Sequence, residues 1–273
     1  MIVVTGATGN VGRALVATLI RTGETVTAVA RHIGEEDVPP GVRAVAADLG
    51  APRSLAPALE GAKALFLLVA GEDPVDILRQ AAAAGVGKVV LLSSQGAGTR
   101  PDAYAHAARF EAAVAESGLP FTVLRSGGLA SNALAWAEPV RRHRIAAAPF
   151  ADVALPFIDP DDVAAVAATV LREAGHDGAT YTLTGPEPTT PRQRAAAIAA
   201  ALGEPVTFVE QSREDAYAEM ARFLPAAVAE ATLAVLGAPT PEEQAVGTDV
   251  ARLLGRPASP FSAWAVRNVA AFR

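Results

Sequence analysis

One stretch near the start constrains the fold more than any other. It is Thr5-Gly6-Ala7-Thr8-Gly9-Asn10-Val11-Gly12, set between the β-branched run Ile2-Val3-Val4 and an apolar-periodic segment at 11–22. The run predicts a buried strand over 2–5 and the periodic segment predicts a helix. Strand, glycine turn and helix in that order make a cradle for phosphate. Gly6 permits the tight turn, Gly9 lets backbone approach a diphosphate, and Gly12 lets the helix pack on the strand. The diphosphate would rest on the free N–H groups and positive end of the helix. A glycine-rich turn without ligand is the alternative, and the strand–turn–helix context favours the nucleotide.

The pattern after the cradle repeats its logic. Strands are expected at 25–30, 43–46, 64–69, 88–93 and 121–124, with helices at about 75–84 and about 103–117. Short β-branched runs alternating with helices of this length predict βαβ units and a doubly wound, mostly parallel α/β sheet of Rossmann type. Such a sheet is covered on both faces and needs apolar material. The chain supplies it, with 51% hydrophobic residues and a mean hydropathy of +0.28. Its 273 residues suit one large domain with a small appended lobe.

The second half is less regular. Ile158-Asp159-Pro160-Asp161-Asp162 reads as a strand end running into a helix start, because proline and acids suit a first helical turn. A helix at 163–171, a strand at 181–184, a helix at 191–202 opened by Thr189-Thr190-Pro191 and a strand at 206–209 follow. The remainder is expected to be mainly helical, broken near Pro225, Pro239 and Pro257. The expected division is a dinucleotide-binding core at 1–130 and an interleaved remainder at 131–273. Within the remainder, the last core strand and helix fall near 156–185, and a smaller, mainly helical capping lobe takes 131–155 and 186–273.

The net charge of −6 argues against direct nucleic-acid binding, which needs a basic surface. The chain has no cysteine, which excludes disulfides, zinc–thiolate sites and cysteine nucleophiles. No metal site is expected. No basic n-region precedes the first apolar run and no stretch resembles a membrane span, so a cytoplasmic protein with no membrane partner is expected.

The end of the second strand selects the cofactor. NAD sites place an acid there for the ribose 2′-hydroxyl. Here Arg31 stands in that place, followed by His32, and its charge and fork geometry match a 2′-phosphate. The acids Glu35, Glu36 and Asp37 come later, on an expected exposed loop. NADP(H) is therefore the expected cofactor.

Further segments carry a family resemblance. Thr5–Gly12, Ser93-Ser94, Leu124-Arg125-Ser126-Gly127-Gly128 and Ser131-Asn132 together resemble the NmrA-like group of atypical short-chain dehydrogenases/reductases. Ile158-Asp159-Pro160-Asp161-Asp162-Val163-Ala164 and Tyr181-Thr182-Leu183-Thr184-Gly185-Pro186-Glu187 extend the likeness over nearly the whole chain. The resemblance implies a smaller C-terminal lobe walling a cleft, with NADP(H) across the carboxyl ends of the strands. It also implies cofactor contacts at Thr5, Gly6, Thr8, Gly9, Asn10, Val11 and Gly12 and at Arg31. Asp48 and Leu49 would lie beside adenine, Val69 and Ala70 by the adenine-side ribose, and Ser93 near the nicotinamide ribose.

Catalysis is less determined. Full short-chain dehydrogenases carry Tyr-x-x-x-Lys, in which the lysine lowers the tyrosine pKa. This chain has Tyr104 with Ala108 in the lysine place, followed by Arg109 and Glu111. Tyr104 and His106 are the candidate proton donors, each also readable as structural. Glu111 either faces solvent or pairs with a cation. Asn132, Trp136 and Phe150 are candidates for the substrate pocket, the aromatics suiting a planar ring, with lobe packing as the alternative. Arg141, Arg142 and Arg144 with His143 read as a solvated basic face.

The expected function is NADPH-dependent reduction of a small, planar or near-planar carbonyl, quinone or imine-like compound by hydride transfer, which makes the chain an oxidoreductase. The alternative is a non-catalytic NADP(H)-binding redox sensor acting on a protein partner. Apart from its small-molecule substrate, the chain is left open to homodimerisation.

Overall fold

A computed structural model describes all residues, 1–273. The chain forms two compact units. The first comprises 1–101, 105–126 and 160–182, and the second comprises 102–104, 127–159 and 183–273.

In the first unit the strands are β1 (Ile2–Thr5), β2 (Val26–Ala30), β3 (Arg43–Ala46), β4 (Ala64–Leu68), β5 (Lys88–Ser94) and β6 (Phe121–Ser126). The second unit carries β7 (Ile145–Ala148); β8 (Ala179–Leu183) then completes the main sheet, and β9 (Thr207–Glu210) lies again in the second unit. The seven-stranded sheet has the order β3-β2-β1-β4-β5-β6-β8. The pairs from β3 across to β6 are parallel. This is the doubly wound order, in which the chain reverses direction across the sheet between β1 and β4, and ligands bind outside the carboxyl ends at that reversal.

The helices that matter for the site are α1 (Asn10–Arg21), α2 (Ala56–Leu59), α3 (Pro74–Ala83), α4 (Gly96–Thr99), α5 (Ala105–Glu116), α6 (Ala137–His143), α7 (Pro160–Arg172) and α8 (Pro191–Leu202). On one face of the sheet, Leu55, Leu59, Ile77, Leu78, Phe110 and Val114 from α2, α3, α5 and the turn before α2 pack on Leu65, Leu67, Val89 and Leu91. α1 packs against α7, burying Leu15, Val16 and Leu19 from the first and Val163, Val166 and Val170 from the second. Fully burying each such aliphatic side chain contributes about 1.5–3 kcal/mol. Every residue of β1 is buried, as a central parallel strand covered on both sides requires.

The second unit has its own core, formed by Val140, Ile198, Phe261, Trp264 and Phe272. α8 is opened by a capping box between Thr190 and Gln193 with Pro191 in its first turn, and it closes on Gly203 in the left-handed conformation. The strand expected at 206–209 is present as β9, but its partner is β7, running parallel to it. Ile145-Ala146-Ala147-Ala148 gave no strand signal because alanine has little β propensity. The residues before α7 do not form a strand either. Ile158 makes one isolated bridge, to Leu129, and Pro160 begins the helix itself.

Candidate functional site

The cradle is built by three glycines with different tasks. Gly6 has φ +64, and a Cβ there would come within 2.1 Å of Leu68 Cδ1. Gly9 is the helix N-cap and offers no side-chain cap. Gly12 lies so close to the turn that a Cβ would sit 2.1 Å from the Gly6 carbonyl oxygen. Helical hydrogen bonding begins with Arg13 N–H donating to Gly9 O at 3.0 Å. The N–H groups of Asn10, Val11 and Gly12 thus point out of the helix start, uncapped by any side chain. Arg13 adds a cation, its Nε donating to Thr8 O at 2.8 Å. Uncapped donors, the helix dipole and a guanidinium at one turn fit a diphosphate.

Thr5 does a different job from its neighbours in the motif. Its hydroxyl is buried, donates to Phe66 O at 2.9 Å and accepts from Leu68 N at 3.0 Å. It fastens β1 to β4 at the point where the sheet reverses. Thr8 is half-buried and Asn10 exposed in the turn.

Arg31, directly after β2, is exposed and no carboxylate pairs with it. The acids expected on a loop instead form a short 3-10 turn, Glu35–Asp37. Asp37 is engaged there, accepting from Gly34 N at 3.0 Å. Arg31 therefore keeps its donors for an outside anion. Asp48 accepts from Gly50 N at 2.9 Å, while its own N–H donates to Ser54 Oγ at 2.9 Å, so it shapes the turn after β3. Leu49 is buried in that turn, and Val69 and Ala70 are half-buried after β4.

At the carboxyl ends of β5 and β6, Ser93 and Arg125 are register partners. Glu111 of α5 joins them. Ser93 Oγ donates to Glu111 Oε1 at 2.5 Å, and Arg125 grips both carboxylate oxygens, Nη2 to Oε2 at 2.7 Å and Nε to Oε1 at 3.1 Å. The Glu111 side chain is 12% exposed. Of its two sequence readings, pairing with a cation is the one realised. The cation was not foreseen, because only the sheet register brings residue 125 beside residue 93.

His106 lies in the first turn of α5, half-buried and edge-on to Phe110. Its Nδ1 is 3.4 Å from Arg109 Nη2, and a guanidinium has only donors, so Nδ1 is the acceptor there. Arg109 also donates to Glu72 O at 3.0 Å. Tyr104, half-buried, precedes the helix. In the second unit Trp136 Nε1 donates to Ala147 O at 2.7 Å and its ring packs against that unit's core. Phe150, at φ 55, lies where a Cβ on Gly237 would be 2.6 Å from its ring. Asn132 is exposed and its side chain makes no hydrogen bond within the protein, so it does not tie its loop to the sheet. Arg144 departs from the solvated face read in the sequence. It pairs with Glu204 at 2.7 Å and donates to Val140 O at 3.0 Å.

The fold and the cradle match known proteins. Residues 6–174 match the model of the NAD(P)H-binding family. The chain belongs to that NAD(P)H-binding family. This upholds the likeness to NmrA-like reductases, since members of that group share the fold. Across its whole length this NAD(P)H-binding protein is 37% identical to (4-alkanoyl-5-oxo-2,5-dihydrofuran-3-yl)methyl phosphate reductase of Streptomyces griseus, covering 99% of that protein. It is 32% identical, again over its whole length, to NAD(P)H azoreductase of Xenophilus azovorans, covering 99% of it. The crystal structure of an Escherichia coli NADPH-dependent quinone oxidoreductase with NADPH superposes at a TM-score of 0.81, with 28% identity over 98% of this chain and 99% of that one. No helix of this NAD(P)H-binding protein is long and apolar enough to cross a membrane.

Proposed function

We propose that the chain is an NADPH-dependent reductase of small, electron-poor conjugated compounds. The observation that carries the cofactor choice is the unpaired Arg31 beyond the diphosphate cradle. The relatives support the reaction. A furanone, an azo compound and a quinone are the acceptors in their names, and each takes a hydride into a polarised π system.

NADPH, when bound, supplies the hydride; the chain's residues do the holding. The N–H groups of Asn10, Val11 and Gly12 and the Arg13 guanidinium meet the diphosphate, and Arg31 meets the 2′-phosphate. Ser93 spends its proton on Glu111, so its oxygen is left with acceptor capacity only, which suits a ribose hydroxyl. Arg125 fixes Glu111 and, through it, the direction of Ser93. With Ala108 in place of the usual lysine, no strong side-chain acid is built in. An acceptor that delocalises the incoming charge does not need one, and positioning then supplies most of the rate. His106 is the side chain proposed to donate a hydrogen bond from Nε2 to the acceptor, its Nδ1 being engaged by Arg109, with water as the source of any proton.

The test is consumption of NADPH, followed by the absorbance of the reduced nicotinamide, against a panel of quinones, azo compounds and unsaturated lactones. Turnover of at least one class with NADPH preferred over NADH is expected. Tight NADPH binding with no turnover across the panel would overturn the reading.

A further inference from the structure

Arg109 of α5 touches two elements at once. Its Nη2 donates to Glu72 O at 3.0 Å, with Glu72 Oε2 at 3.3 Å, and it lies 3.4 Å from His106 Nδ1. Glu72 sits in the loop from β4 to α3, and that loop is pinned on either side of it. Gly71 takes φ +81, and a Cβ there would come within 2.3 Å of Leu49 O. Asp73 is the N-cap of α3, its side chain accepting from Asp76 N at 2.8 Å. The Glu72 carbonyl is thereby presented to Arg109 at a fixed place. The His106 ring has a second brace, because the fully buried Phe110 meets it edge-on with centroids 5.2 Å apart. All of these residues belong to the first unit.

A neutral imidazole carries one proton, so one ring nitrogen donates and the other accepts. With Nδ1 accepting from a guanidinium, that proton sits on Nε2. Nε2 makes no hydrogen bond within the protein, so the one donor of the ring is left for a ligand. A cation donating to one ring nitrogen also polarises the ring and strengthens the N–H at the other.

We infer that Arg109 is a positioning residue, which anchors itself on the Glu72 carbonyl and fixes His106 as an Nε2–H donor. Its effect on turnover rests on the reductase reading. The state of the ring does not, and the two are tested separately.

The ring is read by nitrogen NMR of protein labelled at its histidine side chains. The chain has four histidines, and the His106 signals are the pair lost in His106→Phe. At about pH 8, above the ordinary imidazole range, Nδ1 is expected to resonate as an unprotonated ring nitrogen and Nε2 as a protonated one. In Arg109→Met the two signals are expected to move towards each other as the tautomers exchange. Signals unmoved in Arg109→Met, or a protonated Nδ1 in the wild type, would overturn the inference. The Arg109 side chain is 55% exposed, so Arg109→Met is expected to keep its Tm within about 2 °C of the wild type. Should it fail to fold, Arg109→Gln reads the same shift, and its absence counts against the role.

Turnover separates an action through His106 from simple support of the loop. With a quinone acceptor at saturating NADPH, Arg109→Met is expected to lower kcat about tenfold. In a His106→Phe background the same substitution is expected to change kcat by a factor of about one, since the ring it acts through is gone. An undiminished kcat in Arg109→Met, or an equal loss in both backgrounds, would overturn the role in turnover. If no acceptor is reduced, the reductase reading fails, and the histidine signals still decide whether Arg109 sets the donor.

Discussion

Arg31 and Gly12 show how much single side chains decide at the cofactor end. Arg31 is exposed and unpaired, so replacing it removes an interaction with ligand and little else. Arg31→Ala is expected to raise the Kd for NADPH by about 10–100-fold, the value of one or two charge-assisted hydrogen bonds, and to leave NADH binding nearly unchanged. Isothermal titration with both dinucleotides checks this, and equal losses would remove the 2′-phosphate role. Gly12 is the opposite case, because its contact is internal. A Cβ would sit 2.1 Å from the Gly6 carbonyl oxygen, and neither backbone can yield without displacing the helix start. Gly12→Ala is expected to abolish measurable binding of both dinucleotides while circular dichroism retains its helical signal. Both positions are legible in the sequence, because backbone conformation and charge are local properties. Arg13 was not, since its importance lies in reaching back to Thr8 O, and exposed helix arginines are common.

The Ser93–Glu111–Arg125 linkage belongs to the element scale, for it ties β5, α5 and β6 together. Arg125 is 30% exposed and Glu111 12% exposed, so the pair is partly screened, and breaking it costs less than a fully buried one. Glu111→Gln is expected to destabilise by about 1–3 kcal/mol. A double-mutant cycle with Arg125→Met should show coupling of about 1 kcal/mol, measured by denaturant unfolding. If the linkage also aims Ser93, Glu111→Gln raises the KM for NADPH more than it lowers kcat. A purely structural pair would leave both unchanged once the protein is folded. The elements themselves were mostly visible in advance. α8 was opened by Thr190-Pro191, a cap whose chemistry is local, and it ends at Leu202 as expected. β7 was not visible, since its four residues become a strand only because β9 lies alongside.

At the scale of the whole molecule, cofactor binding and stability are linked. A ligand that binds only the folded chain stabilises it by about 2.7 kcal/mol at a hundred times Kd. For a chain of this size that is a rise in Tm of about 5–10 °C. NADPH is expected to produce it and NADH, at the same concentration, a clearly smaller one. Equal shifts would contradict the cofactor choice. The two compact units draw on residues far apart in the chain. The nearly continuous apolar strands announced a covered parallel sheet, whereas the helices between 213 and 267 carried no periodicity strong enough to place them.

What the sequence determined by itself is whatever depends on neighbours along the chain: the strand–turn–helix cradle, the βαβ order, the helix caps and the charge at the end of β2. These follow from φ/ψ restriction, side-chain period and formal charge, which are fixed before folding. What only the tertiary structure decided is which polar groups meet. Glu111 found Arg125 through strand register, Thr5 was drawn into the β1–β4 seam, and Arg109 met the carbonyl of Glu72. Those outcomes depend on desolvation and on partners brought together by packing, and neither exists until the chain has closed on itself.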